Sequence, residues 1–271
     1  MIKVDNISYK YDGKYFIENL SFEIEKRSFV SIIGKNGSGK STLVRLLTGI
    51  KKPSKGTILV DDIDTKSKKD FIALRNKISV VFQNPENQLI FETVSEELKF
   101  ILKNLKKPEE SFDEAIDSAL KLVGMEDFKD AEINSLSLGQ KQKIVIASSL
   151  VQGTDYLVLD EPTAMLDPES KQIILGILKD LNKHGKTIVL ITHDLAEVLY
   201  SDKILILENG KIINQIGTIE FLNDNDLMEK LNFDKNYFFK ILVEIKKKNP
   251  TLRLDTTNID EIIRKVLEEI G

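Results

Sequence analysis

The segment GKNGSGKS at residues 34–41 decides the fold, because it fits the pattern G-x-x-x-x-G-K-[ST] without a mismatch. It follows an apolar run, FVSII, and precedes STLVRLLTG, whose apolar spacing is that of a helix. A glycine-rich turn with an exposed lysine would not need these flanks. Strand, glycine-rich loop and helix in this order predict a phosphate-binding site on an α/β sheet.

The residue types in this loop are those that a nucleotide requires. Glycines let backbone N–H groups turn toward phosphate oxygens, and the N-terminus of the following helix adds a partial positive charge. We expect Lys40 to reach the β- and γ-phosphates and the Ser41 hydroxyl to ligate Mg²⁺. ATP and Mg²⁺ are therefore the expected cofactors.

A second apolar run, YLVLDE, supplies two carboxylates. As a buried strand it would end at Asp160, at the carboxyl edge of the sheet and beside the phosphate loop. Asp160 can then hold Mg²⁺ through water, while Glu161 can orient or deprotonate the attacking water. An apolar strand before Asp-Glu is common by itself, and only its pairing with the phosphate loop makes it specific.

Three further polar residues follow apolar runs. His193 ends TIVLITH, on the same predicted edge as Asp160, where it can hydrogen-bond the γ-phosphate. Gln83 follows ISVVF and can reach Mg²⁺ or the attacking water through its side-chain carbonyl. His184, in NKHGK, precedes a glycine and is typical of a helix C-terminus, so we predict a structural role for it.

Composition limits the classes of protein. The chain has 271 residues, a formal net charge of -4 and no cysteine, which argues against a nucleic-acid binder and excludes disulfides and thiolate metal sites. No run approaches the roughly 20 apolar residues that span a bilayer. The first residues, MIKVDNISYKYDG, lack the apolar core of a secretion signal. We expect a cytosolic chain, with any membrane span supplied by another protein.

The spacing of apolar residues changes along the chain and indicates which segments are strands and which are helices. Besides the helix STLVRLLTG, the residues before about 83 contain runs with the spacing of strands: KVDNISYKY, LSFEIEK, SFVSIIG, GTILVDDID and KISVVFQ. From about 94 to 124 and after 137 the spacing predicts amphipathic helices. Strands and helices then alternate, which implies a parallel sheet covered on both faces. The tail has helical spacing in two apolar stripes. These are Phe238, Phe239, Ile241, Leu242 and Ile245, then Ile262, Ile263, Val266, Leu267 and Ile270.

Taken in order, these pieces resemble the ATPase domain of ATP-binding cassette (ABC) proteins. The phosphate loop, Gln83, LSLGQ, YLVLDE, AMLD and His193 match the successive motifs of that family over about residues 1–217. The resemblance implies a P-loop NTPase fold with a RecA-like mixed or parallel sheet, an antiparallel β subdomain and an α-helical signature subdomain at about 86–150. Residues 218–271 would form a C-terminal helical extension.

The resemblance also implies a role for each matching residue. Catalysis would use Glu161, His193 and Gln83, and Mg²⁺ would be held by Ser41, Gln83 and Asp160. Tyr11 would stack on adenine, unless it packs on the hairpin as a strand aromatic. Nucleotide binding would involve Tyr11, Gly34, Asn36, Gly37, Ser38, Gly39, Lys40, Ser41, Thr42, Ser137, Gly139, Gln140 and Asp167.

The segment LSLGQ differs from the family word LSGGQ at one residue, Leu138. In this family the signature caps the γ-phosphate held by the opposite subunit, and Asp167 links the two active sites across the dimer. One chain would therefore carry halves of two different sites and must dimerise to work. We hypothesise that the chain pairs with a different ATPase, and that the site completed by Leu138 is the weaker one.

The segment FQNPENQLIFETVSEELKF narrows the family. It resembles the corresponding segment in ATPases of energy-coupling-factor (ECF) importers of vitamins and metal ions, where a short helix faces the transmembrane coupling protein. The alternative is a solvated loop after a proline break. The contact residues that the resemblance implies are Asn84, Pro85, Glu86, Asn87 and Gln88.

The resemblance therefore implies the ATPase subunit of an ECF importer, peripheral on the cytoplasmic face of the membrane. Its partners would be a second ATPase in a heterodimer or homodimer, the coupling protein and substrate-binding membrane subunits, with no nucleic acid. The tail would join the two ATPases, pack on its own domain or sense a ligand. Alternatives are the ATPase of a conventional importer with a binding protein and, less favoured, a non-transport ABC protein.

Overall fold

The computed structural model describes residues 1–231 and 237–270, the last two by backbone alone. The strands in this part of the chain are β1 (Ile2–Tyr11), β2 (Lys14–Ile24), β3 (Phe29–Ile33), β4 (Lys55–Val60), β5 (Ile63–Asp64), β6 (Ile78–Val81), β7 (Tyr156–Asp160), β8 (Thr187–Thr192), β9 (Lys203–Glu208) and β10 (Lys211–Gly217). The helices are α1 (Lys40–Leu47), α2 (Phe71–Arg75), α3 (Val94–Asn104), α4 (Phe112–Leu122), α5 (Leu138–Gln152), α6 (Pro168–Lys183), α7 (Thr218–Leu222), α8 (Asn225–Lys230), α9 (Tyr237–Lys248) and α10 (Ile259–Ile270).

The strands form two sheets. Strands β2, β1, β4 and β5 make an antiparallel sheet in that order, and the other sheet has the order β10-β9-β3-β8-β7-β6. In the second sheet β9, β3, β8, β7 and β6 run parallel, and β10 is antiparallel to β9. The predicted mixed sheet, the antiparallel subdomain and the fold class are confirmed.

Alternation along β7 and β8 puts apolar side chains on both faces of the larger sheet. Leu157, Leu159 and Leu190 belong to the core shared with helices α3 to α6. Val158 and Val189 belong to the opposite core, which includes α1 and the antiparallel sheet. Because both faces are covered, these strands are apolar at nearly every position, as the sequence predicted.

Parallel strands bring their carboxyl ends to one edge. Strand β3 leads into the phosphate loop, β7 ends at Asp160, and His193 follows β8 directly. Gln83 lies two residues beyond the end of β6. The order of strands therefore places four separate stretches of sequence along the same edge of the sheet.

The C-terminal helices pack on this sheet through a third apolar core. Phe239 and Leu242 of α9 and Ile262 of α10 are buried with Ile204 and Ile206 of β9. Thus part of each predicted stripe packs on its own chain. Phe238, Ile245 and Val266 are half-buried against the same core. Ile241, Ile263 and Leu267 are exposed, and the side chain of Ile270 lies outside the described residues.

Polar contacts also attach the extension. Lys246 of α9 is buried and donates to the Leu222 carbonyl and to Asn223 Oδ1, the latter at 3.0 Å. Asn223 in turn bonds both the backbone N and O of Leu254, at 2.9 and 2.7 Å. Burial, with a smaller contribution from Arg253, lowers the pKa of Lys246 to about 8. Helix α9 and the segment at Leu254 are therefore anchored to the end of α7.

None of the helices in the described ranges is both long and apolar enough to span a membrane. Strand β10 ends at Gly217, and no further strand follows it in the described residues. Whether residues 218–271 act as a separate dimerisation unit stays a prediction.

Candidate functional site

The phosphate loop has a backbone that only glycine accommodates easily. Gly37 and Gly39 have φ of +81° and +109°, in the left-handed region. A Cβ on Gly34 would lie 2.2 Å from the carbonyl oxygen of Leu207. Ser38 is buried, and its hydroxyl has no hydrogen-bond partner among the described residues. A phosphate oxygen in this loop would supply the acceptor that the hydroxyl lacks, so the loop fits a nucleotide phosphate.

Lys40 is the first residue of α1 and is only 5% exposed. Its ammonium donates to the carbonyls of Gly34 at 2.8 Å and Lys35 at 3.2 Å, and lies 3.7 Å from Glu161 Oε1. The loop carbonyls thus hold the charge over the loop. An anionic phosphate there would neutralise a cation that burial has taken out of water.

Ser41 and Asp160 come together as the sequence predicted. Ser41 Oγ donates to Asp160 Oδ1 at 3.2 Å, across 119 residues of chain. Burial raises the pKa of Asp160 and the charge of Glu161 adds to this, although the Ser41 hydrogen bond and the cations Arg45 and Lys40 oppose the rise. A cation nearby would stabilise the charged form of the Asp160 carboxylate. The Ser41 hydroxyl and this carboxylate together provide oxygen ligands of the kind that Mg²⁺ prefers.

Glu161 and His193 also meet at this edge. His193 Nδ1 lies 3.1 Å from Glu161 Oε2, and the histidine side chain is 50% exposed. The backbone N–H of Glu161 donates to the Ile191 carbonyl at 2.9 Å, and its φ is +51°. A non-glycine residue in the left-handed region is uncommon and often marks a functional position. The carboxylate therefore lies between Lys40 and His193, at the edge of the sheet where the phosphate loop also lies.

Two predicted residues lie at the margin of the site. Tyr11 is 58% exposed at the end of β1, with Lys51 Nζ 4.9 Å from the ring centroid, so it is not a core aromatic. Gln83 is exposed, and no hydrogen bond to its side chain is seen within the described part of the chain. Both are free to approach a nucleotide, and their roles stay predictions. His184 ends α6, as predicted.

The signature residues form the N-terminus of α5. Ser137 is the cap: its Oγ accepts from the Gln140 N–H at 3.3 Å, while Gln140 Oε1 accepts from the Ser137 N–H at 2.8 Å. Leu138 is the first helical residue and is half-buried. The reciprocal cap holds the first turn of α5 although a leucine replaces the family glycine.

Gly139 has a role that the sequence did not reveal. A Cβ at this position would lie 2.8 Å from Ser170 Oγ and 3.1 Å from Ser170 Cβ. Asp167 caps α6 by accepting from the N–H groups of Glu169 and Ser170 at 3.1 and 2.9 Å. A hydrogen bond from the Ser170 side chain, with a smaller contribution from these N–H groups, lowers the pKa of Asp167. Gly139 therefore lets the signature helix approach the turn that carries Asp167, with Ser170 as their common neighbour.

Residues 84–88 form the predicted short helix, as a 3₁₀ turn over Pro85–Asn87. Asn84 caps it through Glu86 N–H at 2.9 Å, and Gln88 folds back to bond Phe82 N–H at 2.6 Å. Glu86 pairs with Lys141 of α5 at 2.6 Å. Three of the five predicted contact residues are thus engaged within the chain, and Glu86 and Asn87 remain exposed.

An adjacent apolar surface was missed by the sequence reasoning. Ile90 is largely exposed, and Phe91 packs against Phe100 with the rings tilted and their centroids 4.8 Å apart. Buried Glu97 accepts from the N–H groups of Ile90 and Phe91 at 2.8 and 3.1 Å. The buried Glu97 carboxylate therefore fixes the backbone of an apolar segment that is exposed at Ile90. Nothing in the local apolar spacing distinguished Ile90 from a core residue.

Comparisons with known proteins agree with one another. A family model described as ABC transporter matches residues 17–164. The energy-coupling factor transporter ATP-binding protein EcfA1 of Fusobacterium nucleatum is 40% identical over 271 residues, covering 100% of both chains. That of Clostridium novyi is 34% identical over 274 residues, covering 99% of this chain and 98% of the relative.

Two solved structures are similar throughout most of the chain. CbiO1 from Clostridium perfringens, described as part of the ABC transporter complex CbiONQ, has a TM-score of 0.78 and 36% identity, covering 89% of this chain and 98% of that one. The cassette MJ0796, as a dimer in a post-hydrolysis state with ADP and Pi, has a TM-score of 0.72 and 30% identity, covering 80% and 98%.

Proposed function

The chain belongs to the ABC transporter ATPase family, and from this premise we propose the residues, partners and location through which it works. It is an ATP-binding and ATP-hydrolysing subunit of an energy-coupling-factor transporter, as its full-length similarity to EcfA proteins supports. Vitamins or metal ions are the proposed cargo class. The proposal for the site rests on one observation: five polar side chains come together at one edge of the larger sheet. They are Lys40, Ser41, Asp160, Glu161 and His193.

Each side chain has a distinct task in hydrolysis. Ser41, Asp160 and Gln83 would hold Mg²⁺, which would neutralise charge on the β- and γ-phosphates when bound. Lys40 and the N–H groups at the start of α1 bind the phosphates. Glu161 accepts a proton from the attacking water, and His193 contacts the γ-phosphate while orienting Glu161. Tyr11 stacks on adenine.

The active unit is a dimer with composite sites. Ser137, Gly139 and Gln140 cap the nucleotide held by the opposite subunit, and Asp167 reaches across the interface. The dimeric state of the similar cassette MJ0796 supports this arrangement. Leu138 adds a side chain at the cap, so we assign the weaker of two unequal sites to the nucleotide that this chain's signature completes.

The membrane partner contacts the surface formed by residues 84–88 and Ile90. The exposed Glu86, Asn87 and Ile90 supply the contact, and Lys141 links the 3₁₀ turn to the signature helix. The similar CbiO1 is described as part of a CbiONQ complex. The chain is thereby peripheral on the cytoplasmic face of the membrane. Residues 218–271 join the two ATPases through their exposed apolar side chains.

Purification of the tagged chain from its native membranes in a mild detergent tests this assembly. We expect a second, different ATPase, a coupling membrane protein and small substrate-binding subunits among the proteins identified by mass spectrometry. Recovery of this chain alone with a conventional permease would assign it to a binding-protein-dependent importer instead. Recovery with ribosomes would overturn a transport role.

A further inference from the structure

A buried hydrogen bond lies behind the catalytic edge and joins the segments that follow Glu161 and His193. Thr163 is two residues after Glu161, is 3% exposed, and donates through Oγ1 to Glu197 Oε1. Glu197 is 1% exposed and lies in the 3₁₀ helix Leu195–Tyr200, which begins two residues after His193. The two segments are therefore tied together by side chains as well as by the sheet.

Lys171 of α6 extends this connection. Its Nζ lies 2.8 Å from Glu197 Oε1 and also pairs with Asp194, the residue directly after His193. The backbone N–H of Lys171 donates to the Asp167 carbonyl at 3.0 Å. One ammonium group therefore holds two carboxylates of the histidine segment from the first turn of the helix that Asp167 caps.

The backbone around His193 is fixed by the same residues. Asp194 Oδ1 accepts from the Ala196 N–H at 2.9 Å, and Thr192 Oγ1 accepts from the Asp194 N–H at 2.9 Å. Residues before and after His193 are thus held, while the imidazole itself remains half exposed. Any displacement of Asp194 would move the ring relative to Glu161.

Because the contacts among Thr163, Glu197, Lys171 and Asp194 involve buried charges, the loss of one of these side chains is expected to disturb the others. Burial acts to lower the pKa of Lys171, but attraction by Glu197 and contacts with Asp194 raise it overall, so the ammonium stays charged. The second carboxylate oxygen of Glu197 is buried and has no hydrogen-bond partner among the described residues. A buried carboxylate that loses a partner is strongly destabilised, so the remaining contacts are expected to rearrange.

We propose that Thr163, Glu197 and Lys171 are positioning residues for ATP hydrolysis, which keep Glu161 and His193 in contact when the dimer closes. None of the three belongs to the set that contacts the nucleotide. The inference rests on the proposed roles of Glu161 and His193 and adds a group that acts through them. Its consequence is that loss of the network lowers kcat more than it weakens ATP binding.

Thr163→Val and Thr163→Ser separate this role from a general effect on stability. Valine keeps the volume of threonine but cannot donate, whereas serine keeps the hydroxyl. In the purified transporter we expect Thr163→Val to lower kcat about 10-fold with KM for ATP changed less than about 2-fold, since small misplacements of reacting groups are costly. Thr163→Ser, which keeps the donating hydroxyl, should have a kcat within about 2-fold of the wild-type value.

Thr154→Val is the matched control. Thr154 is another buried threonine whose hydroxyl bonds Ser79 Oγ at 2.9 Å, but it lies before β7, at the opposite edge of the sheet. The Thr154→Val variant should keep kcat near the wild-type value even if its melting temperature falls. A wild-type kcat in Thr163→Val, or equal losses of kcat in Thr163→Val and Thr163→Ser, would overturn the network. Wild-type activity in Glu161→Gln would instead overturn the proposed catalytic carboxylate.

Discussion

Glu161→Gln is expected to bind ATP with near-normal affinity and to hydrolyse it about 10²–10⁴-fold more slowly, the usual effect of removing a general base. The amide keeps the size of the side chain and can still accept from His193, so the 3.1 Å contact need not be lost. It cannot take a proton from water. Phosphate release and nucleotide affinity should both be measured on the assembled transporter.

The same substitution should stabilise the closed dimer, because bound ATP is no longer consumed. Size-exclusion chromatography with ATP would detect a longer-lived dimer of ATPase subunits. Glu23→Gln, on an exposed position of β2, is the control for loss of one carboxylate and should hydrolyse ATP at the normal rate. Near-normal turnover in Glu161→Gln would contradict the assignment of the catalytic base.

Lys40→Ala should lose nucleotide binding. The ammonium is 5% exposed and is held over the loop by the carbonyls of Gly34 and Lys35, so no other cation can take its place without rebuilding the loop. Truncating one member of a buried charge pair costs several kcal/mol, which corresponds to an affinity about 10²-fold lower or worse. Calorimetric titration with a non-hydrolysed ATP analogue would measure it.

Lys35→Ala provides the matched control in the same loop. Lys35 is exposed, and its contribution to the site is through its backbone carbonyl, which alanine retains. Its affinity for the analogue should stay within about 3-fold of the wild-type value, as for an exposed charge. If both lysine variants lost binding equally, the effect would be one of net loop charge and not of the buried ammonium.

The phosphate loop and the Asp160–Glu161 pair could be predicted from sequence because their signals are local. Each consists of a short apolar run followed directly by the predicted site residues, so the end of the strand determines where these residues lie. Because β3, β7 and β8 pair in parallel, their carboxyl ends lie at the same edge of the sheet although the three strands are far apart in sequence. The prediction needed the strands to be parallel but did not need the details of packing.

The contacts that refine the site depend on pairing between elements, which spacing does not encode. The sequence indicates Gly139 only as a signature residue, whereas the structure shows that its lack of a side chain also leaves room for Ser170. The partner contact implied for Gln88 stays a prediction, and the spacing does not reveal that its amide also bonds the backbone of Val80 and Phe82. Likewise Glu197 follows an unremarkable helical spacing, and only the fold brings Lys171 and Thr163 to it.

We expect this chain's signature to complete a nucleotide site on another subunit, and a photocross-link would detect that contact. The chain has no cysteine, so Leu138→Cys provides a single attachment point for a maleimide–benzophenone reagent. The variant also carries Glu161→Gln, to hold the dimer closed, and is labelled before assembly with its partners. With ATP present, illumination should join it to the G-x-x-x-x-G-K-[ST] loop of a second ATPase subunit. A cross-link to residues 34–41 of the same molecule, or equal cross-linking with and without ATP, would contradict the composite site.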